Sequence, residues 1–354
     1  MKNKCAAVAI LAVFAVMVSS AAVMLTDDSD ADMDYSKYWR SQLGFAERHL
    51  YDAFATLADS NGLPVADPVL SGDVYVYTVT SDVTWAIEYA TADECTEYWN
   101  EAAKRALLYS KLDNPYAFWA WNTSAALPVI AASDDGGKVK MTITMPSEFA
   151  TGLGTKVQAA KDAVAAITVS GDTVADKMKA INKTVTGYAY TDDFKASPYA
   201  ATPYGICVEG DKKLYVDAYS MLYKAICDAA GLTCIQVSGT LNVDNVRNAW
   251  IWNYVLIDGQ FYAVDSAYNA KNSAQEAWMG AGVYSQYNGL TFAVIHSAAL
   301  SVETNQMISY YGYSWPADTS LLAVITANFS WILIGVICVT LALVLVHMAR
   351  EGDQ

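Results

Sequence analysis

Along residues 216–230 apolar side chains recur at helical spacing, with Tyr219, Leu222, Tyr223 and Ile226 on one stripe, and Gly231 stands where a helix stop belongs. The period then changes. Residues 234–238 alternate as a short strand, and 250–257 and 260–265 flank Asp258-Gly259, a strong two-residue hairpin signal. Such a turn pairs Ile257 with Gln260, which sets Trp252 opposite Asp265 and Trp250 diagonal to it on the same face. One face therefore carries Trp250, Trp252 and Tyr254 around a single carboxylate. Upstream, 35–57 reads as an amphipathic helix with Tyr38, Trp39, Leu43, Phe45, Ala46, Leu50 and Phe54 near one stripe. Residues 74–80 and 138–145 alternate as strands, 93–112 reads as a helix, and two more helices, 155–167 and 174–186, are separated by a Ser170-Gly171-Asp172 turn. No repeat or low-complexity tract interrupts the series.

Both ends of the chain break this globular pattern. Lys2 and Lys4 precede an uncharged run from Cys5 to Thr26, and an acidic patch follows it. The run is long enough to span a bilayer, and small residues at Ser19, Ser20, Ala21 and Ala22 also permit cleavage, so signal peptide and signal-anchor helix both fit. Residues 319–349 contain no Asp, Glu, Lys or Arg and read as a C-terminal transmembrane helix. With Lys2, Lys4 and Arg350 at the extremes and acid between, both tails are expected inside the cell membrane and the bulk of the chain outside it, extracellular or otherwise extracytoplasmic.

Charge and cysteine usage narrow the function classes. A formal net charge of −15, with a pI of about 4.5, leaves no basic stripe to neutralise phosphates, which argues against nucleic acid as a partner and against docking flat on anionic lipid. Cys95, Cys207, Cys227 and Cys234 lie between the two hydrophobic runs, where an oxidising compartment permits bridges. Cys227 and Cys234 flank Gly231, but spacing alone establishes no bridge. None shows a CxxC or His-paired spacing, so no metal site and no cofactor is expected. Asn122 and Asn182 open Asn-x-Thr/Ser triplets. Aromatics are dense after the hairpin, at Tyr268, Trp278, Tyr284, Tyr287, Tyr310, Tyr311, Tyr313 and Trp315.

The segment 204–268 resembles the core of the transglutaminase-like superfamily, the papain-like cysteine protease fold of protein-glutamine transferases and related peptidases. The likeness rests on Tyr204-Gly205, Val208-Glu209-Gly210, Tyr219-Ser220, Gly231-Leu232-Thr233-Cys234, Val237-Ser238-Gly239, Trp252-Asn253-Tyr254-Val255, Asp258-Gly259 and Phe261-Tyr262-Ala263-Val264-Asp265. Upstream, Asp113-Asn114-Pro115-Tyr116-Ala117-Phe118-Trp119 is similar to the family's DNPELFW, and 174–194 to the helix that follows it. The resemblance implies a nucleophilic cysteine at the start of the core helix, where the helix dipole and a histidine activate it. Here that position is Val216, or Leu214 if an apparent two-residue insertion is discounted. The family's histidine, two residues before the Trp-Asn pair, is replaced by Trp250, whose indole donates a hydrogen bond but takes no proton. Only the third triad position, Asp265, is retained, and no histidine is placed beside it by the sequence.

The expected fold is α+β: a transglutaminase-like core of helix plus antiparallel sheet at 151–318, a helix-rich α+β N-terminal module at 27–150, and terminal transmembrane helices at 1–26 and 319–349. The expected function is that of a membrane-embedded pseudoenzyme, a surface binding or scaffold domain with Trp250, Trp252 and Tyr254 as binding residues, a peptide or glycan as candidate ligand, and no partner protein named. The alternative is an exported cysteine peptidase or acyl transferase acting on amide bonds. It would use Cys207, just ahead of the helix, as nucleophile and His296 as a distal base.

Overall fold

The computed structural model describes residues 34–88, 90–118, 129–145, 150–193, 199–208, 213–299, 307–315 and 337. The two hydrophobic end segments lie outside them, Ile337 apart. Among the described residues no helix is long and apolar enough to cross a membrane. Residues up to Tyr313 form one compact unit and Ser314–Gln354 a second.

The first unit is mixed α+β, built of helices and antiparallel sheets. A 3-10 turn at Tyr35–Lys37 leads into α1 (Tyr38–Ser41), and α2 (Phe45–Ala55) follows Gly44. The single helix expected over 35–57 is therefore broken. The chain turns out of α1 to bury Leu43, Glu47 Oε2 accepts from Gly44 N at the start of α2, and Phe45 is left exposed rather than on the apolar stripe. Strands β1 (Val69–Ser71) and β2 (Val74–Thr84), helix α3 (Ala92–Asp113), and strands β3 (Val129–Asp135) and β4 (Lys138–Met145) complete the N-terminal half. Thr91 and Glu94 form a reciprocal capping box that fixes the start of α3. The four strands pair antiparallel in the order β1-β2-β4-β3. Along β4, Val139, Met141, Ile143 and Met145 are buried, the period-two pattern of a sheet with one covered face; α2 and α3 pack on β2 and β3.

Helices α4 (Leu153–Ala165) and α5 (Val174–Val185) lead to the short parallel pair β5 (Ala189–Tyr190) and β6 (Lys213–Leu214), then to α6 (Val216–Ala229). Strands β7 (Cys234–Val243), β8 (Val246–Ile257) and β9 (Gln260–Val264) are joined by two-residue turns, with positive φ at Asp244 and Asn245 and at Asp258 and Gly259. After α7 (Ser266–Lys271) come β10 (Met279–Ala281), the hairpin β11 (Gln286–Tyr287) and β12 (Leu290–Thr291), the single turn α8 (Phe292–Ile295) and β13 (His296–Ala298). The second sheet runs β10-β9-β8-β7-β13. Trp250 to Val255 are buried without alternation, so the middle of β8 is covered on both faces.

The two halves share polar contacts in the interior. Trp39 Nε1 donates to Gln236 O at 2.7 Å, and Gln236 Nε2 donates to Leu112 O at 2.8 Å. Asp113, the last residue of α3, accepts from Trp39 N and Arg40 N at 3.0 Å and from the Tyr51 hydroxyl at 3.0 Å.

Candidate functional site

Three elements converge on Asp265. The tight turn at Asp258-Gly259 sets Ile257 against Gln260 and carries the pairing up to Asn253 and Val264. Asp265 then leaves the ladder to cap α7: its Oδ1 accepts from Tyr268 N at 2.9 Å, and its own N–H donates to Trp278 O. Trp250, further along β8, donates from Nε1 to Asp265 Oδ2 at 2.8 Å. The indole thus makes the contact with the carboxylate that the resemblance implies for a histidine.

Asp265 also has a histidine. His296 Nε2 lies 2.8 Å from the same Oδ2, and Nδ1 lies 3.2 Å from Phe292 O. This corrects the expectation that the carboxylate stands without an imidazole. The cause is a long-range return: β13 pairs with the edge of β7, His296 facing Leu241, and brings the ring under the hairpin. Both ring nitrogens lie within hydrogen-bonding distance of an oxygen. The ring is stacked on Phe292 with centroids 4.0 Å apart and meets Trp252 and Trp278 edge to face at 5.1 and 5.9 Å.

The cluster is sealed. Both side chains of the His296–Asp265 pair are 0 % exposed, and Trp250, Trp252 and Tyr254 are 5, 1 and 1 % exposed. Trp252 packs edge to face on the His296 ring, and Tyr254 is packed in the interior. Tyr190 lies 6.3 Å from the Trp250 ring, and Lys271 Nζ stands 5.8 Å from it while bonding Asp192 at 2.6 Å. Tyr190 and Lys271 were not singled out by the sequence; the alternating Tyr188-Ala189-Tyr190 was the available signal. A cavity of about 480 Å³ lies elsewhere, between α5 and the segment before β10, beside Lys179, Lys183, Gln275 and Glu276.

The nucleophile positions offer no reactive atom. Val216 begins α6 and is buried, with Leu214 just before it on β6, also buried. Asp217 in the same first turn lies 3.9 Å from Lys111 Nζ, and burial pushes the Lys111 amine down to about 8. Cys207 is half-buried and donates from Sγ to Ala159 O of α4 at 3.5 Å, while both nitrogens of His296 are committed to Asp265 and Phe292. Chemically, Asp265 is a buried hub taking three hydrogen bonds. Asn182 is in the interior, bonded to Ser266 and Gln275 O, so its Asn-x-Thr triplet is closed to glycosylation; Asn122 lies outside the described residues. Among the described residues no group of three or more His, Cys, Asp and Glu side chains could hold a metal.

No protein-family model matches the chain, and no curated protein does. Among solved structures it is similar to a TGase at 15 % identity and a TM-score of 0.22, over 39 % of this chain and 43 % of that one. It is similar to a candidate protease from Parabacteroides distasonis at 12 % identity and a TM-score of 0.22, over 39 and 36 %. The periplasmic domain of TgpA from Pseudomonas aeruginosa is similar at 11 % identity and a TM-score of 0.21, over 60 and 76 %. The chain spans less than half the length of the first two. Likeness at these TM-scores assigns neither fold nor activity to the chain.

Proposed function

We propose that this chain is a membrane-tethered, extracytoplasmic domain of transglutaminase-like type that performs no catalysis and serves as a surface binding or scaffold module. The observation that carries the reading is the Asp265 cluster. Its carboxylate is filled by Trp250 and His296, both at 2.8 Å, and is closed to solvent. A papain-like centre needs an activated thiol beside a base that can exchange protons with substrate. Valine and tryptophan stand at those two positions, and the histidine present is enclosed. The motif resemblance supports the family, and the two uncharged hydrophobic runs at the chain ends support the tether and the location. A peptide or glycan remains the candidate ligand class. Cys207 chemistry would require its thiol to leave Ala159 and find a base other than His296.

The test is amide turnover by the purified full chain in detergent. A glutamine peptide with a primary amine probes transfer, and a fluorogenic peptide library probes hydrolysis. No thiol-dependent product is expected above the buffer rate. Turnover by the wild type that Cys207→Ser abolishes would overturn the proposal.

A further inference from the structure

The α6–β7 connection carries a second cluster that the Asp265 centre does not use. Cys227 lies in the last turn of α6, and Cys234 is the first residue of β7. Gly231 between them takes a φ of +70°, the left-handed conformation that ends a helix and sends the chain back along it. The turn is then closed twice. Leu232 N donates to Cys227 O at 2.9 Å, and Lys224 Nζ donates to Cys234 O at 3.1 Å. These bonds hold the two cysteines against the same interior space. Burial first, and then the neighbouring Cys234, push the Cys227 thiol up. Asn253 Nδ2 from β8 donates to Cys234 Sγ at 3.6 Å. Both stand as thiols, 0 and 2 % exposed.

We propose that Cys227 and Cys234 close to a disulfide when the chain folds in the presence of a small-molecule disulfide, stapling the core helix α6 to strand β7. A bridge requires its two Cβ atoms at roughly 3.5–4.5 Å, and the turn, closed by these two hydrogen bonds, sets the buried end of α6 beside the buried start of β7. The chemistry is thiol–disulfide exchange. One cysteine thiolate attacks a sulfur of the oxidant, whose other sulfur departs and takes up the proton that the cysteine lost. The second cysteine, as its thiolate, displaces the remaining oxidant sulfur, which leaves as a second thiol. Two cysteines give up two electrons and two protons, and one disulfide becomes two thiols. Burial sets the timing. With both sulfurs enclosed, exchange belongs to folding, before α6 seals against β7 and β8, and the redox state is then retained. The inference stands independently of whether the Asp265 centre is catalytic.

Both cysteines fall in one tryptic peptide, 225–247, which contains no internal Lys or Arg before Arg247. The full chain is synthesised in a cell-free system with detergent micelles, once with oxidised glutathione and once with dithiothreitol. The monomer is isolated, denatured without reductant, alkylated and digested. With oxidised glutathione, peptide 225–247 is expected without alkyl groups and lighter than the dithiol form by two hydrogen atoms; with dithiothreitol, it carries two alkyl groups. Adding oxidised glutathione to the reduced, folded monomer is expected to leave the peptide alkylatable until urea unfolds it. Two alkyl groups on the peptide after oxidative synthesis overturn the proposal. So does a bridge from either residue to Cys95 or Cys207.

Discussion

Asp265 accepts hydrogen bonds from β8, α7 and β13 through Trp250, Tyr268 N and His296, so its loss and the loss of one donor have different consequences. Asp265→Ala leaves an indole N–H, an imidazole and the first turn of α7 without their acceptor in a sealed interior, a cost of about 3–5 kcal/mol. Trp250→Phe removes one donor, keeps an aromatic ring beside Tyr190, and leaves the carboxylate two partners; about 1–2 kcal/mol is expected. Urea unfolding of the two variants against wild type measures the difference. If Asp265→Ala proves no worse than Trp250→Phe, the carboxylate is not the hub of the cluster. The same residues show how far the sequence could be read. The Asp258-Gly259 turn is local, and its register puts Trp250 diagonal to Asp265 from residue identities alone. His296 lies 31 residues beyond Asp265, and only the pairing of β13 with β7 brings the two together, a long-range contact with no local signal.

Strand β13 reaches its place because Gly239 lets it. Gly239 lies opposite Trp250 in the β7–β8 pair and beside Ala298 of β13. A Cβ there would stand 2.1 Å from Ser297 O, 2.7 Å from the Trp252 ring and 2.9 Å from the Ala298 Cα. Two of those neighbours are backbone and the third is a packed indole, so β13 must shift. Gly239→Ala is expected to cost about 1–3 kcal/mol and to pull His296 off Asp265. Hydrogen exchange localises the effect: the Ala299 amide, bonded to Ser238 O, loses protection, while amides of the β8–β9 hairpin keep theirs. Equal loss of protection in both would mean global destabilisation instead. At this scale the sequence was legible where a periodic element was long. The helices at α3 and α6 and the β8–β9 hairpin fall within a few residues of the pattern. The break at Gly44 was hidden because apolar residues continue at helical spacing on both sides of it, and burial of Leu43 overrides that pattern. Strand β7 runs on to Val243 and turns into β8 at Asp244-Asn245, a signal present in the sequence and obscured by the polar residues around it.

The N-terminal half and the core are tied through the end of α3, which makes the stability of the whole unit depend on one buried carboxyl. Asp113 is 7 % exposed, and burial pushes its carboxyl up from 3.8 to about 7, against the pull of Trp39 N, Arg40 N and the Tyr51 hydroxyl. Lys224 of α6 also pulls it down, and the Arg40 guanidinium is committed to Asp52. Between about pH 4 and pH 7 the folded protein holds a proton at Asp113 that the unfolded chain has released. Its stability contribution is therefore full below about pH 4, falls as pH rises toward 7, and stays lost above it. The span of about three pH units corresponds to on the order of 4 kcal/mol at ~1.4 kcal/mol each. The three hydrogen bonds to the carboxyl oppose the rise and are already contained in it. The net charge of −15 at pH 7 works in the same direction, since ionising the remaining carboxylates adds self-repulsion. Asp113→Asn separates the two: it removes the local titration and leaves the global one. Urea midpoints at pH 5 and pH 8 should differ clearly in wild type and by much less in the variant, with the variant weaker at pH 5. An identical pH slope in both proteins would place the dependence in the overall charge and leave Asp113 ionised in the joint between the two halves.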